Sequence, residues 1–280
     1  MNRKPVLVGN IDCCAPELFL ISGPCVIEEE SLMMRTAEKL KEVCTRLQVP
    51  LIFKSSFIKD NRSALDLYHG PGLDEGLRIL QKVRDAFDLP IISDVHSAEQ
   101  VPAAAEVLDV LQIPAFLCMQ SSLLVACAKT GKPVNLKHGQ FIAPDVMAKP
   151  AQKIVDAGNE QIILTERGYV FGYNDLIVDP RSFYFLSQTG FPVVFDATHS
   201  IRRYGIPSAD PSGGTRQVLP TLARAGVAAG IDGLFIEVHP EPSKALCDAA
   251  TQLPLHQLEE FLKPLLDIHA LVRNHRWNSI

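Results

Sequence analysis

Five cations, Lys54, Lys59, Arg62, Lys137 and Arg167, stand at or just after short apolar, β-rich runs in a chain whose formal charge is −5. Any one of them could be an ordinary solvated loop cation. Gathered in one place, they would bind anions, with arginine suited to bidentate contact with phosphate or carboxylate. More than one such group is the natural ligand load. A second set, Cys25, His199, Glu237 and Asp248, combines a thiol, an imidazole and two carboxylates. Together these make a mixed site for a divalent transition metal such as zinc, iron or manganese. No local motif links the four. His239 could take the place of His199, and Asp196 that of Asp248, while a cysteine such as Cys25 also suits a small buried hydrophobic position.

The elements that must position these residues alternate. Apolar runs occur at Leu18–Ile21, Leu51–Phe53, Ile91–Ser93, Val110–Ile113, Val134–Leu136, Gln161–Leu164, Val193–Phe195 and Leu234–Val238. Pro50, Pro90, Pro133 and Pro192 directly precede four of them, where a missing N–H costs least. Each run is followed by a segment of helical period: Leu32–Leu47, Gly76–Phe87, Ala98–Leu108, Ser121–Lys129, Val146–Ala157, Arg181–Gln188, Thr215–Ala229 and Leu255–Val272. Eight such units with nearly continuous apolar strands predict a parallel sheet buried on both faces and closed into a (β/α)8 (TIM) barrel. An open doubly wound sheet is the alternative, but no Gly-x-Gly-x-x-Gly follows the first strand. No linker divides the chain, so a single catalytic domain is expected over residues 1–280, with its core at about 18–272. Two long connections, Phe57–Gly72 and His199–Gly214, carry little predicted regular structure.

In such a barrel the chemistry sits at the C-terminal strand ends. Those ends read Ser22-Gly23-Pro24-Cys25, Lys54-Ser55-Ser56, Asp94-Val95-His96, Gln112, Lys137-His138, Glu166-Arg167, Asp196 with His199, and Glu237-Val238-His239. The uniform polarity of these ends is itself a signal of function.

Composition narrows the classes. The chain is 47% apolar and 21% charged, ordinary for a globular protein, and its acidic balance argues against a nucleic-acid partner. No apolar stretch is long enough to span a bilayer, and Met1–Pro16 lacks the features of a secretory signal. Seven scattered cysteines without a Cys-x-x-Cys pair suggest a reducing, cytoplasmic setting rather than a disulfide framework.

Several segments in combination resemble the 3-deoxy-D-manno-octulosonate 8-phosphate synthases. They are Gly23-Pro24-Cys25-Val26-Ile27-Glu28, Phe53-Lys54-Ser55-Ser56-Phe57, Lys59-Asp60-Asn61-Arg62-Ser63 and Tyr68-His69-Gly70-Pro71-Gly72-Leu73. Further on are Gln112-Ile113-Pro114-Ala115-Phe116-Leu117, Asn135-Leu136-Lys137, Gly139-Gln140-Phe141, Glu166-Arg167-Gly168, Phe171-Gly172-Tyr173, Asp196-Ala197-Thr198-His199-Ser200 and Ile236-Glu237-Val238-His239-Pro240. The resemblance implies condensation of phosphoenolpyruvate with D-arabinose 5-phosphate on the way to lipopolysaccharide. It implies Lys54, Lys59, Lys137, Asp94 and Asp196 as catalytic residues, with the lysines and Arg167 holding phosphoenolpyruvate. Asn61, Arg62 and Ser63 would bind the sugar phosphate, and Gln112, Pro114, Ala115 and Gln140 would line the pocket. The cysteine-bearing class of this family uses a divalent metal, which the resemblance places on Cys25, His199, Glu237 and Asp248. A homotetramer is also implied.

Three positions depart from the family pattern: His138 stands where a second lysine is common, and Met119 and Ser122 replace an arginine and an acidic residue near a subunit contact. The related synthases acting on erythrose 4-phosphate share several elements, but typically carry Lys-Pro-Arg-Thr where this chain has Lys59-Asp60-Asn61-Arg62-Ser63. A Schiff-base aldolase built on Lys137, or a barrel that only binds, are the readings from other classes.

Overall fold

The computed structural model describes residue 3 and residues 5–62, 64–170, 172, 175–207 and 210–274. Eight parallel strands form the barrel: β1 (Phe19–Gly23), β2 (Leu51–Lys54), β3 (Ile91–Asp94), β4 (Val110–Ile113), β5 (Val134–Lys137), β6 (Ile162–Glu166), β7 (Val193–Asp196) and β8 (Gly233–His239). Each pairs with the next, and β8 pairs with both β7 (Gly233 with Val194) and β1 (Gly233 with Phe19), which closes the ring. The predicted barrel is therefore the observed one.

Strand alternation explains where polarity falls. Side chains two residues apart share a face. Ile52, Ile92, Val110, Ile163, Val194 and Phe235 form one buried cluster inside the barrel. Two residues further along the same strands stand Lys54, Asp94, Gln112, Thr165, Asp196 and Glu237. The interior is thus apolar at the bottom and polar at the C-terminal rim. The opposite faces, including Leu51, Phe53, Leu111, Leu136, Leu164 and Ile236, pack with the helices into a second, larger core.

The helices are α1 (Glu30–Leu47), α2 (Leu73–Phe87), α3 (Val101–Val107), α4 (Ser121–Lys129), α5 (Ala148–Asp156), α6 (Arg181–Ser187), α7 (Leu219–Ala228) and α8 (Leu258–Asn274). Their starts differ from the periodic reading for local reasons. Helix α2 begins at Leu73, before Gly76, with Asp74 and Glu75 in its first turn. Gly76 lies inside the helix, at a position where a Cβ would sit 2.3 Å from Phe57 Cβ. Helix α7 begins at Leu219 rather than Thr215, after a separate 3-10 turn over Arg216–Val218. Pro220 has no N–H to donate to the residue 216 carbonyl, so one continuous helix across this stretch would lack that bond.

A hairpin of Leu7–Val8 and Ile11–Asp12, which the sequence reading did not include, packs Val6, Val8, Ile11 and Cys13 against the lower barrel interior. It is tied down by Leu7 N–H to Gln161 Oε1 at 3.0 Å and by an ion pair between Arg3 and Asp232. The loop Phe57–Gly72 is closed at its neck by Lys59 N–H to His69 O (2.7 Å) and Gly72 N–H to Phe57 O (3.1 Å). The connection after His199 carries antiparallel bridges, Arg202 with Gly214 and Arg203 with Asp175.

Candidate functional site

Cys25, His199, Glu237 and Asp248 converge at the rim, with one donor atom from each lying within 4.8 Å of all the others. The separations are 3.3 Å from Cys25 Sγ to Asp248 Oδ2, 3.6 Å from His199 Nε2 to Glu237 Oε1, and 3.7 Å from His199 Nε2 to Asp248 Oδ2. Each donor is held from behind. Gln252 Oε1 accepts from Cys25 N–H at 3.3 Å. Asp196 caps the one-turn helix Ala197–Ser200, with Oδ1 accepting from His199 N–H at 2.9 Å and Oδ2 lying 2.7 Å from His199 Nδ1. The His199 ring therefore turns Nε2 toward the other three donors, the orientation that a carboxylate behind Nδ1 gives an imidazole ligand. Asp248 takes a left-handed backbone (φ 50°), a conformation aspartate tolerates better than most residues.

The donor set fits a divalent cation. Four ligands about 2.0–2.3 Å from a common centre are separated by distances like these. Glu237 Oε2 is buried and has no hydrogen-bond partner among the described residues, so a carboxylate oxygen stands ready. Alternatives left open by the sequence separate here. His239 lies 3.6 Å from Glu28 outside this group, and Asp196 acts behind His199 rather than beside it. Burial, together with the Cys247 thiol and Glu237, pushes the Cys25 thiol well above its ordinary range. Burial would raise Glu237, but His199, Lys54 and Lys59 outweigh it and lower the carboxyl.

Beside this group opens a cavity of about 610 Å³, lined by Lys59, Arg62, Lys137, Arg167, Arg202 and Arg203 among others. Asn61, Asp94, Gln112, Pro114, Ala115 and Gln140 also line it. Lys59 Nζ lies 3.3 Å from Asp94 Oδ2, and Ser56 Oγ donates to the same oxygen at 2.6 Å. Burial would raise Asp94, but Lys59 and Lys54 overcome it and hold the carboxyl well below its ordinary range. A relay crosses four strands behind it. Thr165 Oγ1 donates to Asn135 Oδ1 (2.6 Å), Asn135 Nδ2 to Gln112 Oε1 (2.8 Å), and Gln112 Nε2 to Asp94 Oδ1. This fixes which way both amides point. Lys137 Nζ pairs with Asp196 and sits 4.3 Å from the Phe235 ring centroid, yet burial dominates and lowers its pKa.

Arg167 is 5% exposed and donates to Tyr204 Oη (3.3 Å) and to His199 O (3.5 Å). Among the described residues no carboxylate forms an ion pair with it. Its guanidinium thus faces the cavity without a fixed countercharge, the condition for receiving an anionic ligand.

Two expectations change. Lys54 does not line the cavity: its ammonium is buried and donates to Glu237 Oε1 (2.7 Å) and Cys25 O (2.9 Å). Strand alternation carries it inward, and Gly23 on the neighbouring strand makes room, since a Cβ there would sit 1.9 Å from Lys54 O. His138 is also turned away from the cavity and is fully buried, so it leaves no gap in the ring of cations. Asp196 lies beneath the rim, and Ser63, Phe171 and Tyr173 fall outside the described residues. Met119 packs against the outer core, and Ser122 is exposed on α4. The sequence reading missed Arg202, Arg203 and Tyr204. They lie past the Ala197–Ser200 helix in the long connection after the seventh strand, and no periodicity marks them. It also missed Cys247, whose Sγ lies 3.2 Å from that of Cys25 and which no spacing singled out.

The DAHP synthetase I family matches residues 10–273. Among curated relatives, the 2-dehydro-3-deoxyphosphooctonate aldolase of Trichlorobacter lovleyi is 56% identical over 271 residues, covering 96% of this chain and 99% of its own. That of Pelobacter propionicus is 53% identical over 274 residues (98% and 100%), and that of Acidithiobacillus ferrooxidans is 54% identical over 256 residues (91% of each). The chain belongs to the DAHP synthetase I family, among relatives named 2-dehydro-3-deoxyphosphooctonate aldolase.

Proposed function

We propose that this chain condenses phosphoenolpyruvate with D-arabinose 5-phosphate and water, giving 3-deoxy-D-manno-octulosonate 8-phosphate and inorganic phosphate. The observation that carries this reading is the juxtaposition of a four-donor cation site with an arginine- and lysine-lined cavity on one barrel rim. The relatives' name supports the aldehyde: an octonate has eight carbons, three from phosphoenolpyruvate and five from the sugar.

The C3 carbon of phosphoenolpyruvate bonds to the aldehyde carbon, whose oxygen takes up a proton. Water adds at C2 and gives up one proton; the C2–O bond to phosphate then breaks, and the remaining proton on the added oxygen passes to the departing phosphate as C2 becomes a ketone. An enol phosphate is a weak carbon nucleophile, so much of the rate comes from holding the two substrates in line. Lys59, Lys137 and Arg167 hold the phosphate and carboxylate of phosphoenolpyruvate and stabilise charge as it moves onto the departing phosphate. Lys137, whose pKa burial lowers, holds at Nζ a proton it can release to a neighbouring oxygen. Asn61, Arg62 and Ser63 hold the sugar phosphate. Asp94, fixed by Gln112, keeps Lys59 in place. Lys54 holds Glu237 in position, and Asp196 does the same for His199 and Lys137. Cys25, His199, Glu237 and Asp248 would hold zinc, iron or manganese, which supplies Lewis acidity at the rim.

A cytoplasmic location is supported by seven scattered cysteines without a Cys-x-x-Cys pair. Among the described residues no helix is long and apolar enough to cross a membrane. A homotetramer is what the resemblance implies, and Phe141, about half exposed, offers apolar surface for a subunit contact. The test is phosphate release with each aldehyde in turn. Turnover with arabinose 5-phosphate and none with erythrose 4-phosphate is expected. The reverse preference would overturn the assignment. Chelation should abolish turnover and a divalent metal restore it.

A further inference from the structure

Strand alternation sends Lys137 and His138, adjacent at the end of β5, to opposite sides. His138 is fully buried and packs edge-on against Tyr169, ring centroids 4.8 Å apart. Its Nδ1 lies 3.0 Å from Glu166 Oε2, and its Nε2 lies 2.9 Å from the Ile142 carbonyl oxygen. The Ile142 carbonyl can only accept and Glu166 is a carboxylate, so the ring meets both favourably only when both its nitrogens carry hydrogen, the Glu166 contact then being an ion pair. The other oxygen of Glu166 accepts from Arg167 N–H (2.8 Å) and Gly168 N–H (2.6 Å). Gly168 has φ +91°, and a Cβ there would meet Leu176 Cβ at 3.1 Å and Ile177 O at 3.3 Å. The turn that carries Arg167 into the cavity is therefore built on one carboxylate, and His138 fixes that carboxylate from the far side. Burial alone would raise Glu166, but the His138 hydrogen bond and charge and the Gly168 N–H outweigh it and keep the carboxyl low.

We propose that His138 is a positioning residue for phosphoenolpyruvate, acting through Glu166 on the backbone of Arg167. It touches neither the cavity nor the donor group at Cys25. The assignment rests on the reading of Arg167 as a phosphoenolpyruvate ligand. A lysine ammonium at this position could likewise donate to Glu166 and to Ile142 O at once.

The test compares His138→Leu, His138→Gln and His138→Lys in the metal-loaded enzyme, by steady-state kinetics in both substrates and by calorimetric titration with phosphoenolpyruvate. For His138→Leu the KM for phosphoenolpyruvate and its calorimetric dissociation constant should rise about tenfold, as outer-shell substitutions do to the ligands they orient. The KM for arabinose 5-phosphate should move less than about twofold, a split that general loosening would not produce. His138→Lys should return phosphoenolpyruvate binding to within about threefold of the parent, since it keeps two donors. If His138→Leu does not fold, His138→Gln carries the same expectation at smaller amplitude. Unchanged phosphoenolpyruvate binding in the folded variants, equal shifts for both substrates, or a lysine variant as impaired as the leucine one would each overturn the proposal. A parent that binds phosphoenolpyruvate but releases no phosphate with arabinose 5-phosphate would instead overturn the assigned reaction, leaving the calorimetric comparison to decide on His138.

Discussion

Replacing Asp196 with asparagine keeps its size and removes its charge, and its contacts set what should follow. In the parent one oxygen caps the His199 helix, while the other meets both Lys137 Nζ and His199 Nδ1. Asparagine can keep the capping oxygen, but its amide nitrogen then faces Lys137 and the imidazole. Donating to His199 Nδ1 drives the ring proton to Nε2, the nitrogen directed at Cys25, Glu237 and Asp248. That tautomer cannot ligate, so divalent metal affinity should fall about 10- to 100-fold. Lys137 loses its buried countercharge at the same time. Breaking a buried pair costs up to about 3–5 kcal/mol. Lys137, its pKa already lowered by burial, can cap that cost by giving up its proton. A loss near 3 kcal/mol lowers Tm by about 6–12 °C in a chain of this size. Chelator competition measures the metal affinity, and thermal unfolding at fixed metal concentration measures the stability. An Asp196→Asn protein that binds metal within about twofold of the parent would refute the tautomer argument.

Three other perturbations have defined outcomes. In Gly23→Ala the new Cβ starts 1.9 Å from Lys54 O, so β1 and β2 must part by about 1 Å; overpacking of this kind costs about 1–3 kcal/mol. Displacement of Cys25 and Lys54 should lower kcat/KM by about 100-fold, and parent-like kinetics would contradict it. Arg62→Ala should raise the KM for arabinose 5-phosphate by about 10- to 100-fold, the worth of a charge-assisted contact, with little change for phosphoenolpyruvate. Asp94 is held below its ordinary range, so its stabilising contribution is full above about pH 4 and is lost as pH falls toward its folded value. Asp94→Asn should therefore be less stable than the parent at neutral pH, with the gap closing in acid. A gap that persists undiminished at low pH would show that Asp94 stabilises by some other means.

Strand identity and the rim residues were legible because both follow from a period of two: apolar positions inside the lower barrel continue upward into Lys54, Asp94, Gln112, Asp196 and Glu237. The same period also places His138 opposite Lys137, although its partner Glu166 comes from another strand and is not visible in spacing. That Lys54 turns to Glu237 rather than to the cavity depends on partners from other strands, Glu237 Oε1 and Cys25 O. The hairpin escaped notice because two-residue strands have no period to detect. Arg202, Arg203 and Tyr204 lie in a loop held by carbonyls and isolated bridges, where sequence pattern carries no geometry.

The hairpin packs beneath the barrel, and the cavity opens at the opposite end. Two substrates and two products must all pass the rim on which Arg203 is half-buried. A ligand seated on Lys137 and Asp94, which are nearly sealed from solvent, has to arrive before anything occupies Arg62 and Asn61 nearer the mouth. Turnover on such a scaffold is a queue, and the order of its steps is set by depth.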